Sequence, residues 1–274
     1  MEAKLIMVVN EAVFGELANA MIIAMNEHGH NMSIGSNEQD YGKHMTFVIK
    51  ALRTYNHDKI PGKKVLYQPE ELWNRRERGI YDLSNGWTRV LELYPENIKI
   101  PRGTSNVKLC PIGWSPAFES NIKVDEEDID VYFYGSMTDR RSRFFSALSK
   151  ELPGLNIRAA QSEFGIERDG MIARSKIVMN IKAHDMWSYG PLHCIFPQCR
   201  KKMVICEKSN GGYSNFVSGK HFVEFEGIKD AAEKIKYWIE HEKERREFAD
   251  TVYDDIKQNH EFTKYFGRAM AGMI

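Results

Sequence analysis

The sequence predicts an α/β protein of two Rossmann-like β/α/β lobes facing a central cleft, and three observations carry that prediction. Short apolar runs at Lys4–Val9, Val131–Tyr134, Lys176–Ile181 and Met203–Cys206 have the length and the β-branched or aromatic content of buried parallel strands. Between such runs lie segments with apolar residues at helical spacing, as at Leu17, Ala20, Met21, Ala24 and Met25. The series is interrupted once, by Pro111-Ile112-Gly113-Trp114-Ser115-Pro116 and a polar run up to Asp130, which has the composition of a linker.

In chain order, the first strand is followed by a loop over Asn10–Phe14 and a helix opening at Gly15-Glu16-Leu17, then a second strand at Met32–Gly35. Asp40–Tyr55 reads as a helix, with Met45, Val48, Ile49 and Leu52 on one side, and Trp87–Leu93 reads as another. Lys64–Tyr67, after the Pro61-Gly62 turn, and Val107–Cys110 read as strands. In the second half, strands are expected at 131–134, Leu155–Ala159, 176–181, 203–206 and His221–Phe225. Helices are expected at Arg140–Glu151, Gly170–Arg174 and Asp230–Arg246, with a mostly helical tail from Phe248. Pro191 suits the first position of a helix that Pro197 should shorten or kink.

At 274 residues the chain is long for one domain and comfortable for two. Apolar residues make up 42% and charged residues 28%, and no apolar run approaches the ~20 residues that span a bilayer. The N-terminal Met1-Glu2-Ala3-Lys4 lacks a signal-peptide pattern, which predicts a cytoplasmic location. Cys110, Cys194, Cys199 and Cys206 form no C-x-x-C pair and read as reduced thiols; His193 with Cys194 and Cys199 fits no common zinc spacing. The formal charge is zero, which argues against a wholly electrostatic nucleic-acid binder, but residues 40–110 carry 13 Lys and Arg against 8 Asp and Glu.

The strand Asp130–Tyr134 runs into Gly135-Ser136 and then the helix start with Arg140 and Arg141. Main-chain N–H groups at such a turn, beside arginines, suit a diphosphate. The second half resembles the GT-B glycosyltransferases that use nucleotide sugars, especially the spore-maturation-protein-like branch and its phage relatives. The resemblance rests on Leu109–Gly113 with Phe118, on Asp130–Arg141, and on Ser175–Asn180 with His184; Met203–Glu207 and the block Glu226–Phe248 complete it. It implies an acceptor-binding lobe over 1–112 and a nucleotide-sugar-binding lobe over 113–254. A helical tail over 255–274 follows, its crossing back to the first lobe left open. It further implies a donor site of Gly135, Ser136, Arg140, Arg141, Asn180, His184, Glu207, Ser209, Asn210, Gly211 and Gly212. The family's glutamate in the helix before the 203–206 strand is replaced here within His193–Arg200, leaving Glu207 as the nearest acid.

The reading is of a glycosyltransferase that takes a nucleotide sugar, a UDP-sugar foremost, with no required cofactor. The chain is read as lacking the Asp-x-Asp motif of metal-dependent sugar transferases, so metal independence is expected. A general base is sought in the first lobe, Asp40 first, then Glu16 and His44, with Glu11 also near a helix start. Trp73, Arg75, Arg76 and Arg78 form a basic aromatic patch suited to a polyanionic acceptor, and the phage relatives suggest a hydroxymethylated pyrimidine in DNA. Other acceptors, a Rossmann-type oxidoreductase and a non-catalytic nucleotide- or DNA-binding module are the rival readings. The missing G-x-G-x-x-G weakens the oxidoreductase.

Overall fold

Strands form where apolar side chains are needed on both faces at once. The computed structural model describes residues 2–7, 11–35, 45–50, 52–53, 57–72, 75–83, 86–101, 106–184, 190–209 and 215–274, and divides the chain into two units. The first unit joins Met1–Ala117 to His260–Ile274; the second is Phe118–Asn259.

The first unit opens with strand β1 (Glu2–Met7), helix α1 (Glu11–Glu27) and strand β2 (Asn31–Ile34). It continues through β3 (Met45–Ile49), β4 (Lys64–Gln68), α2 (Arg75–Ile80), β5 (Arg89–Glu92), α3 (Pro95–Ile98) and β6 (Val107–Leu109). The sheet order is β2-β1-β3-β4-β5-β6, with every neighbouring pair parallel. Two expected helices are strands. In β3, Thr46 and Phe47 are buried along with Met45, Val48 and Ile49, so the helical spacing was a subset of a run buried on both faces. In β5 the charged members misled: Arg89 is buried and gives its guanidinium to the carbonyls of Ala269 and Ala271 (2.8 and 3.0 Å), while buried Glu92 accepts from Asn97 Nδ2 (2.8 Å). Helix α1 also begins earlier than expected, at Glu11.

The second unit holds β7 (Ile129–Tyr134), α4 (Asp139–Glu151), β8 (Ile157–Ala160), α5 (Gly165–Arg174), β9 (Ser175–Asn180), α6 (Pro191–Cys199) and β10 (Met203–Glu207). It ends with β11 (Val223–Phe225), α7 (Gly227–Glu240) and α8 (Glu242–Asn259). Its parallel sheet runs β11-β10-β9-β7-β8. Val131, Phe133, Ile177, Met179 and Ile205 from the strands meet Phe145, Leu148, Ala231 and Ile235 from α4 and α7 in one buried core. The single helix expected to run through 230–246 breaks at His241, where ψ turns to 59° and Arg245 bonds back to the Trp238 carbonyl (2.6 Å).

The last helix, α9 (Phe262–Met270), belongs to the first unit and packs on α1. Its entry is fixed by main chain: Trp114 N–H donates to His260 O and Phe262 N–H to Trp114 O, both at 2.8 Å. Gly113 makes this approach possible, since a Cβ there would fall on the His260 carbonyl oxygen and within 3.1 Å of Phe262 N. Among the described residues no helix is long and apolar enough to cross a membrane.

Gly113→Ala is therefore expected to cost ~3 kcal/mol in urea unfolding followed by tryptophan fluorescence. Gly15→Ala, in α1 with nothing within 4 Å of the new Cβ, should instead stabilise by about 0.5–1 kcal/mol.

Candidate functional site

In both sheets the strand order reverses between the first strand and its third, and open α/β sheets bind ligands at such a switch, beyond the carboxyl ends of the strands. In the second unit the switch lies between β7 and β9. Six residues singled out in the sequence meet there.

Strand β7 ends in Gly135, which takes φ +139°, a value that favours glycine. Thr138 then starts α4, its Oγ1 accepting from Arg141 N–H (3.4 Å). Arg141 is buried. Its Nε and Nη2 donate to Ile181 O (2.9 and 2.6 Å), its Nη1 donates to Ser136 O (2.7 Å), and the guanidinium lies 4.9 Å from the Phe133 ring centroid. Burial, and then the neighbouring Arg140, pull its pKa down to about 10, against the attraction of Glu207. Arg141 thus ties the loops after β7 and β9 together.

Arg140 sits one position earlier and is a third exposed. It forms a two-pronged pair with Glu207 at the end of β10, through Nη1 to Oε2 (2.9 Å) and Nη2 to Oε1, and Nη1 also donates to Lys182 O (2.8 Å). Glu207 Oε2 further accepts the Lys182 N–H (3.0 Å). Asn180, at the end of β9, is buried and turned toward α6, its Nδ2 near Gly190 O (3.4 Å) and Cys194 Sγ (3.3 Å).

Helix α6 begins at the same edge, after Gly190 with φ +68°. Interior Pro197 has no N–H for the carbonyl four residues back, that of His193, and the helix nevertheless runs on to Cys199. The Tyr134 hydroxyl donates to that carbonyl instead (2.7 Å), fastening α6 to β7. The His193 ring, half-buried, is held neutral: burial, then Arg141 and Arg168, lower its pKa to about 4. The sequence reading had set His193 aside with the cysteines; a histidine three positions after a glycine and two after a helix-opening proline was the available signal.

Of the other donor residues, His184 is exposed four positions beyond β9 and Ser209 is half-buried two beyond β10, while Asn210, Gly211 and Gly212 lie outside the described residues. In the first unit, Glu16 is half-buried in the second turn of α1; Asp40, His44 and Trp73 lie outside the described residues. Arg75 and Arg76 fall on α2, their side chains undescribed, and Arg78 donates through Nε to Leu72 O (3.3 Å). The expected absence of an Asp-x-Asp motif needs correction, because Asp128-Ile129-Asp130 has that spacing. Both carboxylates lie at the start of β7, the far end of the strand from Gly135. Asp128 pairs with Arg174 (Nε 2.7 Å), and Asp130 with Lys176 (2.6 Å) and Asn156 N–H (2.8 Å). All four cysteines are buried free thiols.

A family model described as "Glycosyl transferase-like" matches residues 140–269, from Arg140 into α9. No curated protein sequence matches. Among solved structures, Anabaena HepE in complex with UDP and glucose superposes with a TM-score of 0.63 at 10% identity, covering 100% of this chain and 99% of that one. Sucrose-phosphate synthase from Thermosynechococcus elongatus gives 0.63 at 8% identity, over 98% and 97%. An alpha1,3-fucosyltransferase with GDP-fucose gives 0.57 at 12% identity, over 100% and 91%. These are likenesses of fold, and the fold is that of the GT-B plan, two parallel sheets each flanked by helices.

Two measurements test this account of the site. Arg141→Ala strips donors from two carbonyls and should cost roughly 3 kcal/mol or more, whereas Arg140→Gln should cost about 1 kcal/mol, both by urea unfolding. For His193, the unfolded chain takes up the proton near pH 6.5 and the folded one only near 4. The stability the neutral ring contributes is whole above pH 6.5 and is lost as pH falls toward about 4. The stability of wild type relative to His193→Gln should therefore shrink by roughly 2 kcal/mol between pH 7 and 4.

Proposed function

We propose that the protein is a glycosyltransferase that takes its sugar from a nucleoside diphosphate sugar bound by the second unit. The observation that carries this reading is the meeting of Gly135, Arg140, Glu207 and the start of α6 at the β7/β9 switch, of which Arg140, Glu207 and α6 fall within the residues matched by the glycosyltransferase-like family model. In such a transfer the bond between the anomeric carbon and the diphosphate oxygen breaks as an acceptor oxygen attacks. The leaving diphosphate gains negative charge, so fixed positive charge and N–H dipoles favour the transition state over the bound substrate. Arg140 supplies the charge at the mouth of the site, and the main-chain N–H groups at the starts of α4 and α6 supply the dipoles. Arg141 contributes by holding the Gly135-Ser136 turn in place.

Glu207 is gripped by Arg140 and takes the Lys182 N–H, and its remaining lone pairs would serve ribose or sugar hydroxyls, with Asn180, His184 and Ser209 as further donor contacts. We assign the charge compensation to arginine and helix dipoles, which need no metal. The acceptor hydroxyl's proton would pass to a base of the first unit, for which Asp40, Glu16 and His44 are the candidates if the anomeric centre inverts.

The finer acceptor reading, a hydroxymethylated pyrimidine in DNA, rests on the basic stretch Arg75-Arg76-x-Arg78 beside Trp73, on the excess of Lys and Arg over residues 40–110 and on the resemblance to phage relatives. The likeness to HepE, the fucosyltransferase and sucrose-phosphate synthase favours a sugar, polysaccharide or protein acceptor.

A thermal-shift series with UDP-, GDP- and other nucleotide sugars is expected to raise the melting temperature with one nucleotide. Arg140→Gln should weaken that ligand about 10- to 100-fold. Stabilisation by NAD(P) and by no nucleotide sugar would replace this reading with an oxidoreductase. Mass analysis after incubation with hydroxymethylated DNA, oligosaccharides or peptides identifies the acceptor by its hexose- or pentose-sized gain.

A further inference from the structure

The ring of His193 occupies a defined place at the switch. Its Cε1 lies 3.3 Å from where a Cβ on Gly135 would stand, and its Cδ2 lies 3.7 Å from where a Cβ on Gly190 would stand. The atom between those two carbons is Nε2. That edge of the imidazole therefore bridges two glycines, both in left-handed backbone, at the end of β7 and the start of α6. The same two positions are where side chains are absent, so the edge borders space that any other residue would narrow.

Each neighbour of this ring is already engaged. Arg141 is spent on the Ser136 and Ile181 carbonyls, Asn180 is turned to Gly190 and Cys194, and Arg168 pairs with Asp169 (2.8 Å) and stacks on Phe196. Among the described residues no hydrogen bond reaches either ring nitrogen of His193. The backbone is fixed from below by the Tyr134 hydroxyl on the His193 carbonyl. A polar edge is thus presented, without a hydrogen-bond partner among the described residues, beside the first turn of α6.

We propose that His193 Nε2 is a hydrogen-bond donor to the terminal phosphate of the bound nucleoside diphosphate, making this residue the one that distinguishes a diphosphate from a monophosphate. The inference rests on the glycosyltransferase reading and adds to it a residue and a selectivity. Burial, and then the two arginines beside the ring, hold it neutral at physiological pH, and a neutral imidazole carries one N–H, which an anionic oxygen draws to the nitrogen that faces it. The arginines supply positive field, the histidine a directed contact.

The test compares affinities by isothermal titration for the nucleoside diphosphate and the monophosphate of whichever base stabilises the wild-type protein. For His193→Ala the diphosphate should weaken at least tenfold while the monophosphate changes less than twofold. His193→Gln, which keeps an N–H at similar reach, should recover part of the diphosphate affinity; it also serves if the alanine variant folds poorly. Equal weakening of both nucleotides, or no weakening of either, in a variant that melts as wild type does would overturn the proposal. A wild-type protein that binds no nucleoside diphosphate would instead overturn the glycosyltransferase reading.

Discussion

The switch of the second unit is arranged around the buried guanidinium of Arg141. A guanidinium taken out of water must recover its hydrogen bonds inside the protein, and Arg141 does so on carbonyls that belong to two different loops. The consequence is geometric. The turn after β7 and the turn after β9 cannot move apart without stranding a charge. Arg140, its neighbour in sequence, faces the opposite requirement. It leans on Glu207 and the Lys182 carbonyl near the surface, where water shares the burden of solvation. Adjacent arginines on one helical turn thereby divide between scaffold and site.

How much of this was legible in the sequence depended on whether local pattern and tertiary setting agreed. Where a strand was a pure apolar run, as at 203–206, or ended in Gly-Ser before a basic helix start, as at 135–141, the residues and their approximate bounds could be read directly. β3 and β5 could not. Their burial comes from neighbours on both sides in the sheet, and a run buried all round has no single periodicity to display. The residues expected at the donor site stand at strand ends in the sequence, yet the sequence could not say which arginine would be buried. Burial is decided by Phe133 and by the Ile181 carbonyl, the latter 40 positions from Arg141. His193 was hidden for a related reason: its meaning lies in two glycines, one of them 58 positions upstream in a different element.

The opposite edge of the second sheet shows the same economy with the signs reversed. Helices that begin near the switch end at the far edge, exposing carbonyls and the negative end of their dipoles. Cations meet them there: Lys202 donates to Ala173 O (2.7 Å) at the end of α5, Arg200 to Phe196 O (2.9 Å) in α6, and Arg245 to Trp238 O at the end of α7. Glu127 lies among Lys202, Arg245 and Arg246. The concentration of cations at that edge follows from helix direction together with the carboxylates of Glu127 and Asp169. Asp128 and Asp130 are drawn into the same belt by Arg174 and Lys176, which is why an Asp-x-Asp in this chain is part of the scaffold.

The return of α9 to the first unit has a consequence for synthesis. The second unit is continuous in the chain, and all of it precedes His260. The first unit receives its final helix only from residues made after every part of the second. On the ribosome, the half of the molecule that begins first is the half that closes last. Until then the surface of α1 that α9 covers is open to solvent, and Gly113 waits for a carbonyl 147 positions downstream.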